Sequence, residues 1–384
     1  MDGNKMPLPY PNLFLTVEFR NASSSPNNCH NVLERIKYLY EICDFLGIDI
    51  ERRCLEKEFL TKDELQTIIR WSGRKVESFR EHITKVKSKK VVSLQPKRNK
   101  LETARAVIIT DDKGDSAPST AYNRITTYAK YIGWLEQKCY PDSKGDSERF
   151  MLGMRPVKAG STNSIYDWES GEVYGSITSS QCIRVLDVMR HDSTENPWKN
   201  KGVRYRNQLM VNIFEALGIR RGELARIYVN DFKQTPKGLH VLRIRKSVDL
   251  ADTRKNRPKA KAKGRILPVD SRLAEMINNY IIEYRSEVNG AEKIPQLFIT
   301  HNHREKKNRA LSLDAINKVF REVSTVVGFS VHPHAFRHYW NDQFSQRADR
   351  LIAEGKTTPA KVESDRQKLM GWDVDSRMAK WYAF

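Results

Sequence analysis

A stretch rich in glycine, serine, aspartate and proline, residues 141 to 176, most constrains how this chain can fold. Residues of these types favour turns and exposed connections, and helical periodicity is found on both sides of the stretch. The chain has 384 residues, which is enough for two domains that each bury a hydrophobic core. We therefore predict a domain boundary within this stretch.

The predicted domain bounds follow from this division. Residues 1–28 are rich in proline, asparagine and serine and carry little periodicity, so we predict a flexible N-terminal arm. Residues 29–160 are predicted to form a helical domain, and residues 161–177 a linker. Residues 178–384 are predicted to form a second domain of mixed structure.

The pattern of apolar residues differs between the two parts. In the first part, apolar residues recur at helical spacing in residues 31–47 and 119–140. In the second part, helical segments flank two segments of alternating polarity, residues 238–247 and 264–270. We predict that these two segments pair as antiparallel strands. The predicted fold class is mainly α with a small antiparallel β-sheet (α+β).

The charge of the chain indicates the kind of partner. There are 67 lysine and arginine residues against 47 aspartate and glutamate residues, which gives a formal net charge of +20. Such an excess favours a polyanion, and nucleic acid is the usual one. An anionic membrane surface is the alternative, but we find no basic amphipathic helix or lipidation signal that supports it.

Cysteine usage and hydropathy indicate the compartment. The chain has five cysteines, no CxxC motif and no cysteine near a histidine pair at zinc spacing, which predicts buried thiols, no metal site and a reducing environment. No apolar run reaches the roughly 18 residues that cross a bilayer, and the first residues lack the apolar region of a signal peptide. We therefore expect a cytoplasmic location and no membrane partner.

Basic residues cluster in three segments. Residues 85–100 hold several lysines and arginines among few acids, which fits either a DNA-facing stretch or a solvated linker. Basic and aromatic residues interleave in residues 119–140, and a basic turn, residues 257–268, joins the two predicted strands. The candidate DNA-binding residues are Lys89, Lys90, Lys97, Arg98, Lys100, Arg124, Lys130, Lys259 and Lys263.

Two short motifs place arginines beside residues that support phosphate chemistry. In "GIRRGELARI", Arg220 and Glu223 lie three apart at the start of a predicted helix and therefore share a face. In "VHPHAFRHYW", Pro333 favours a helix start, which puts His334 and Arg337 on one face. Taken singly, each motif is more often a surface ion pair or a charged helix face.

Two further stretches complete the set. The basic turn "RPKAKAKGRILP" lies between the predicted strands, and "KLMGWDVDSRMAKWYAF" contains Trp372 and Tyr382. Taken singly, a basic turn is usually solvated, and a tryptophan after glycine or a tyrosine near a terminus usually packs. The order and chemistry of the four stretches together are more specific than any one of them.

In this order, the four stretches resemble the tyrosine site-specific recombinase (phage integrase) family over roughly residues 178–384. "GIRRGEL" resembles the first arginine box of the family and "HAFRH" the second. "LMGW" resembles its Leu-Gly-His segment, with tryptophan at the histidine position. The resemblance implies a helical DNA-binding domain before a mixed catalytic domain. The catalytic residues that it implies are Arg220, Glu223, Lys261, His334, Arg337, Trp372 and Tyr382.

The implied reaction cleaves and rejoins DNA through a 3′-phosphotyrosyl intermediate and a Holliday junction, without metal, ATP or another cofactor. Two guanidinium groups, those of Arg220 and Arg337, would hold the charged phosphate oxygens by forked hydrogen bonds, with Glu223 supporting the first. A tyrosine hydroxyl with a pKa near 10 needs a base, for which His334 is the candidate.

The general acid of the family is a lysine in the strand turn. Counting back from Pro268 puts its usual position at Ala260, so its neighbours Lys261 and Lys259 are the first and second choices and Lys246 is the third. Trp372 either donates its indole N–H to the phosphate or packs, and the sequence does not decide between these roles.

The resemblance also implies an assembly. It predicts a homotetramer on two paired sites of double-stranded DNA, with accessory DNA-bending proteins as further partners, at the nucleoid of a bacterial cell. Tyr382 comes ten positions after Trp372, where the family usually has nine, and two residues follow Tyr382. Contacts between subunits are therefore expected outside the C-terminal tail.

Three other functions are weighed against this one. The spacing of Tyr382 and the ambiguous lysine keep a non-catalytic DNA-binding regulator on the same scaffold as an alternative. A type IB topoisomerase would use the same chemistry to relax supercoils. A metal-dependent nuclease is disfavoured because the sequence around His301 and His303 holds no cluster of acidic residues.

Overall fold

The computed structural model separates the chain into two compact units. The residues that the structure describes are 8–22, 24, 26–88, 114–156, 176–246, 252, 254, 263–301 and 308–372. The units are Met1–Asn163 and Ser164–Phe384. Most of the predicted linker, residues 161–175, lies outside the described residues.

The N-terminal unit is built from helices. They are α1 (Pro9–Phe14), α2 (Pro26–Leu46), α3 (Ile50–Leu55), α4 (Lys62–Ser72), α5 (Val76–Ser88), α6 (Pro118–Cys139) and α7 (Asp146–Gly153). Local sequence explains the start of α4, where Thr61 and Glu64 form a reciprocal capping box. The core of the unit is formed mainly by the apolar faces of α2 and α6, including the fully buried Leu39, Ile42 and Ile132.

The predicted flexible arm is corrected by the structure for residues 9–20. Helix α1 continues into a π-helical segment, Leu15–Arg20. Phe14 is 1% exposed, and its ring lies 5.2 Å from that of Tyr131 and 5.4 Å from that of Trp134, centroid to centroid. This apolar packing stabilises a segment whose proline-rich composition predicted a loop.

Helix α7 lies within the stretch predicted as a domain boundary. Gly145 precedes it in the left-handed region, with φ +66°, and Asp146 and Glu148 occupy its first turn, where carboxylates favour a helix. Met151 is fully buried in the core of the N-terminal unit. Turn-forming composition therefore marked the start of a short helix here.

The C-terminal unit combines helices with one small sheet. Its helices are α8 (Ser179–Met189), α9 (Lys201–Leu217), α10 (Arg221–Leu224), α11 (Ser271–Asn279), α12 (Leu313–Val327), α13 (Pro333–Ala353) and α14 (Pro359–Met370). Its strands are β1 (Phe232–Gln234), β2 (His240–Ile244) and β3 (Arg265–Val269). The core lies around α9, which buries Leu209, Ile213 and Phe214.

The sheet has the order β1-β2-β3 with antiparallel pairing throughout. Leu242 pairs with Leu267, and both side chains are buried, whereas Ile266 on the opposite face is 65% exposed. The predicted pair of antiparallel strands is confirmed, as is the predicted fold class. Strand β1 has only three residues, too few to show an alternating pattern.

The described residues lack two features that would indicate other classes of site. No helix among them is long and apolar enough to cross a membrane. The same residues contain no group of three or more histidine, cysteine, aspartate or glutamate side chains that could hold a metal ion.

Candidate active site

The start of α10 positions the first predicted arginine and its acidic partner. Helix α9 ends at Leu217, and Gly218 turns the chain with φ +55°. A Cβ at this glycine would lie 2.7 Å from the ring of Trp340, so the turn needs glycine for both conformation and space. Arg220 is the N-cap residue of α10, and its backbone N–H donates to Glu223 Oε2 at 2.8 Å.

The carboxylate of Glu223 joins two arginines. Its side chain is 3% exposed, and Oε1 accepts a long hydrogen bond of 3.4 Å from Arg220 Nη1. Arg265 binds both carboxylate oxygens in a fork, Nη1 to Oε1 and Nη2 to Oε2, each at 3.0 Å. Burial alone would raise the pKa of Glu223, but the hydrogen bonds and charge of Arg265 outweigh it and lower that pKa, with Arg220 N–H and Arg337 adding to the effect.

Arg265 was not among the predicted site residues. It opens β3, opposite Ile244, on the face of the sheet that turns toward the core. A charged residue at an inward position of a strand indicates a buried partner, and this is the signal that the sequence offered. The partner itself could not be read from the sequence.

The second predicted arginine lies near the start of α13. His332 caps this helix by accepting the Ala335 N–H on Nδ1 at 3.1 Å, and Pro333 occupies the first turn. Arg337 is only 1% exposed. Its Nη1 donates to the carbonyl of Gly218 at 2.7 Å and its Nη2 to the carbonyl of Met370 at 3.2 Å. Arg337 therefore joins the end of α9 to the end of α14.

The end of α14 brings Trp372 to this arginine. The backbone N–H of Trp372 donates to the Gln367 carbonyl at 3.0 Å, and the centroid of its ring lies 5.8 Å from Arg337 Cζ. Trp372 is buried and packs with Met370 and the partly buried Trp340. This packing explains why a tryptophan fits the position.

Three histidines lie along the first turns of α13. His334 and His338 contact each other edge to face, with ring centroids 4.6 Å apart. Partial removal from solvent lowers the pKa of His334, and the nearby charges of Arg337, His332 and Arg220 lower it further. Burial lowers the pKa of His338 to about 4, with His334, His332 and Arg337 contributing. At neutral pH the rings of His334 and His338 are therefore uncharged.

The structure thus brings five predicted residues to one locus, namely Arg220, Glu223, His334, Arg337 and Trp372. Of the predicted lysines, Lys246 is exposed beyond the end of β2. Lys263 is also exposed, and its backbone N–H donates to the Gly371 carbonyl at 3.1 Å. The predicted residues outside the described part of the chain are Tyr382, Lys261, Lys259, Lys89, Lys90, Lys97, Arg98 and Lys100.

The connection between β2 and β3 is anchored by a buried ion pair that the sequence did not reveal. Arg254 binds Asp252 through Nε, at 2.9 Å to Oδ1 and 3.0 Å to Oδ2. Its Nη1 donates to the carbonyls of Ala225 at 2.9 Å and Leu311 at 2.8 Å. The connection therefore has fixed contacts at residue 254 and again at Lys263, on either side of Lys259 and Lys261 in the sequence.

Two predicted DNA contacts of α6 differ in their surroundings. Arg124 Nη1 donates to the carbonyls of Ser72 at 2.9 Å and Arg74 at 2.6 Å, and its Cζ lies 4.7 Å from the ring centroid of Tyr38. The structure thus gives Arg124 the role of binding the C-terminal end of α4. Lys130, in contrast, is exposed.

Comparison with known proteins gives a family match within the C-terminal unit. Residues 178–356 match the model of the phage integrase family. No curated protein matches the chain.

Several solved structures share a likeness with the whole chain. A lambda integrase dimer bound to a COC' core site matches with 11% identity and a TM-score of 0.49, over 98% of this chain and 76% of that one. The XerH recombinase bound to its difH substrate matches with 13% identity and a TM-score of 0.46, over 97% and 90% of the two chains. The XerA recombinase matches with 12% identity and a TM-score of 0.36, over 98% and 92%.

Proposed function

Because residues 178–356 match the model of the phage integrase family, we propose that the chain is a tyrosine site-specific recombinase that cleaves and rejoins DNA strands. The observation that carries this proposal is the meeting of two arginines around the end of α9. Arg337 binds the carbonyl of Gly218, and Arg220 follows that glycine by two residues. His334 lies close enough for both guanidinium charges to lower its pKa.

In the proposed cleavage step, the phenolic oxygen of Tyr382 attacks the scissile phosphorus. A tyrosine–phosphorus bond forms, the bond from phosphorus to the 5′ oxygen breaks, and a 3′-phosphotyrosine and a 5′-hydroxyl result. Charge that develops on the non-bridging oxygens is met by Arg220 and Arg337. Rejoining reverses the step with the 5′-hydroxyl of another strand, and a Holliday junction forms when one pair of strands has been exchanged. Because the phosphotyrosyl bond conserves the energy of the phosphodiester, no ATP is needed.

Proton transfer is assigned to two groups. Neutral His334 accepts the phenolic proton; partial burial, together with the charges of Arg337 and Arg220, lowers its pKa and keeps the ring neutral before the step. A lysine of the β2–β3 connection, first Lys261, donates a proton to the departing 5′ oxygen. Tyr382 and Lys261 enter the proposal from the sequence.

The proposed partner is double-stranded DNA. The net charge of +20 supports it, because a chain that neutralises many phosphates gains free energy from released counterions. Strand exchange between two duplexes needs two paired sites, for which we propose a homotetramer with accessory DNA-bending proteins.

Covalent trapping tests the proposal. The protein is mixed with a pool of nicked duplexes of randomised sequence, together with duplexes that tile the DNA flanking its gene, with EDTA present. We expect an adduct on denaturing gels for the unaltered protein and for the control Tyr140→Phe, and none for Tyr382→Phe.

The other outcomes of trapping decide between alternatives. An adduct that persists in Tyr382→Phe would assign the nucleophile elsewhere. Tight DNA binding without any adduct would contradict catalysis and favour the non-catalytic regulator. Relaxation of supercoiled plasmid without preference for a site would favour the topoisomerase.

A further inference from the structure

Arg265 connects two parts of the candidate site that are far apart in sequence. Its Nη1 and Nη2 hold both oxygens of Glu223 at 3.0 Å, while its Nε donates to the Leu369 carbonyl at 2.6 Å. The Arg265 side chain is 6% exposed. One rigid guanidinium therefore fixes the distance between the α10 carboxylate and the end of α14.

The end of α14 has a run of three carbonyls, each bound by a donor from the site. Leu369 is bound by Arg265, Met370 by Arg337, and Gly371 by the backbone N–H of Lys263. Two of the donors, Arg265 and the Lys263 N–H, lie at the start of β3 or just before it. A shift of β3 would therefore move, at the same time, the donors that bind the end of α14 and the donor that binds Glu223.

From this geometry we infer that Arg265 is a positioning residue for strand cleavage. It binds Glu223 and the end of α14 at once, and thereby fixes the position of Arg220 relative to Trp372. The inference rests on the proposed function. Glu223 is the intermediary, since it accepts from both the backbone N–H and Nη1 of Arg220. Arg220 keeps 25% of its side chain exposed and is accessible to a phosphate. In Arg265, Nε binds the Leu369 carbonyl and both Nη atoms bind Glu223, so its role here is to hold other groups.

A positioning role makes a different prediction from a purely structural ion pair. If Arg265 acts through Arg220, its loss should matter most where the phosphate carries the negative charge that Arg220 neutralises. Replacing one non-bridging oxygen of the scissile phosphate by a methyl group removes that charge. The defect should then shrink, as it should for Arg220→Ala.

The test compares Arg265→Gln and Arg265→Lys with the unaltered protein. Lysine keeps the charge but cannot make the fork to Glu223 and the bond to Leu369 at once. Single-turnover adduct formation is measured on a duplex recovered by trapping and on its methylphosphonate form. We expect both variants to slow cleavage of the ordinary duplex by about 10- to 100-fold, since small misplacements of catalytic groups have costs of that order. On the methylphosphonate we expect a much smaller defect.

A matched control is Arg245→Gln. Arg245 directly follows β2, and like Arg265 it binds a buried carboxylate, that of Asp231, at 2.8 Å. Its loss should lower thermal stability but leave the ratio of the two cleavage rates unchanged. If Arg265→Gln does not fold, Arg265→Lys and Glu223→Gln give the same comparison.

Equal slowing of both duplexes, or no slowing by either Arg265 variant, would overturn the inference while leaving the proposed function intact. Absence of any adduct with the unaltered protein is a separate result, because it contradicts the proposed function itself.

Discussion

Glu223 shows how single residues are held in an ionised state inside this domain. A buried carboxylate would ordinarily take up a proton, because burial raises its pKa. Here the forked bond from Arg265, the Arg220 N–H and the charge of Arg337 together lower the pKa of Glu223. Because the pKa of Glu223 is lower in the folded state than in the unfolded chain, the ionised carboxylate stabilises the fold at pH values above the usual titration range of glutamate.

Glu223→Gln should therefore lower the free energy of unfolding at pH 7 by about 3 kcal/mol, because Arg265 would lose a buried charged partner. The pKa of Glu223 is lowered by folding, so its contribution is complete above the usual glutamate pKa of about 4.3 and is lost as pH falls through the lowered value. Urea unfolding of Glu223→Gln and of the unaltered protein, from pH 7 down through the titration of Glu223, measures the difference between their free energies of unfolding. This difference should become smaller in acid.

The control for this prediction is Glu354→Gln. Glu354 pairs with Lys356 at 2.7 Å, but both side chains are more than half exposed. Exposed pairs contribute little, so this variant should unfold like the unaltered protein at every pH. If the difference in the free energy of unfolding between Glu223→Gln and the unaltered protein became larger in acid, the direction assigned to the pKa shift of Glu223 would be wrong.

At the scale of elements, the candidate site is built where secondary structures end. Arg220 caps the start of α10, His334 and Arg337 lie in the first turns of α13, and Trp372 follows the end of α14. Helix ends carry unpaired backbone groups, which explains why the buried arginine Arg337 binds carbonyls at two of them. The β2–β3 connection belongs to the same pattern, since Arg254 holds it to carbonyls at residues 225 and 311.

Substrates with different leaving groups test the role of the β2–β3 connection. Lys261→Ala should strongly slow cleavage of ordinary DNA, because the departing 5′ oxygen needs a proton. When that bridging oxygen is replaced by sulfur, the leaving thiolate is a much weaker base and needs none, so the variant should cut at the unaltered rate. Single-turnover adduct formation on both substrates measures this rescue.

Lys259→Ala and Lys246→Ala are the matched comparisons. If sulfur rescues one of them in place of Lys261→Ala, the general acid moves to that residue. Rescue of none of the three would remove the β2–β3 lysines from the proposed proton transfer.

At the scale of the whole molecule, two units with separate cores share a strongly basic composition. Basic residues do not all serve the same end. Many arginines bind carbonyls or carboxylates of their own unit, as Arg124 binds the end of α4 and Arg285 binds the carbonyls of Leu297 and Gln296. Net charge therefore indicates the class of partner and leaves the individual contacts open.

Lys130 and Arg124 separate these roles in one helix. Lys130→Gln should reduce the slope of log binding constant against log salt by about 0.9, the value expected for one phosphate contact. Arg124→Gln should lower the melting temperature, because carbonyls at the end of α4 lose their donor, and should leave the slope unchanged. Salt titrations of duplex binding and thermal melts of both variants measure this contrast. A reduced slope for Arg124→Gln alone would contradict it.

The sequence by itself determined the features that local chemistry controls. Arg220 and Glu223 meet because they are three residues apart around one cap, and His334 and Arg337 share the start of one helix. The alternation of apolar residues specified the β2–β3 pair. The order of these motifs along the chain indicated the phage integrase family, whose model matches residues 178–356.

Only the tertiary structure decided which remote groups complete the site. Arg265 lies 42 residues from Glu223 and 104 from Leu369, and Arg337 lies 119 residues from Gly218. The packing of Phe14 into the N-terminal core is another such case. A sequence pattern records spacing within one helix or strand. Contacts between distant segments are set by how the apolar faces of many elements pack together, and this is a property of the whole core.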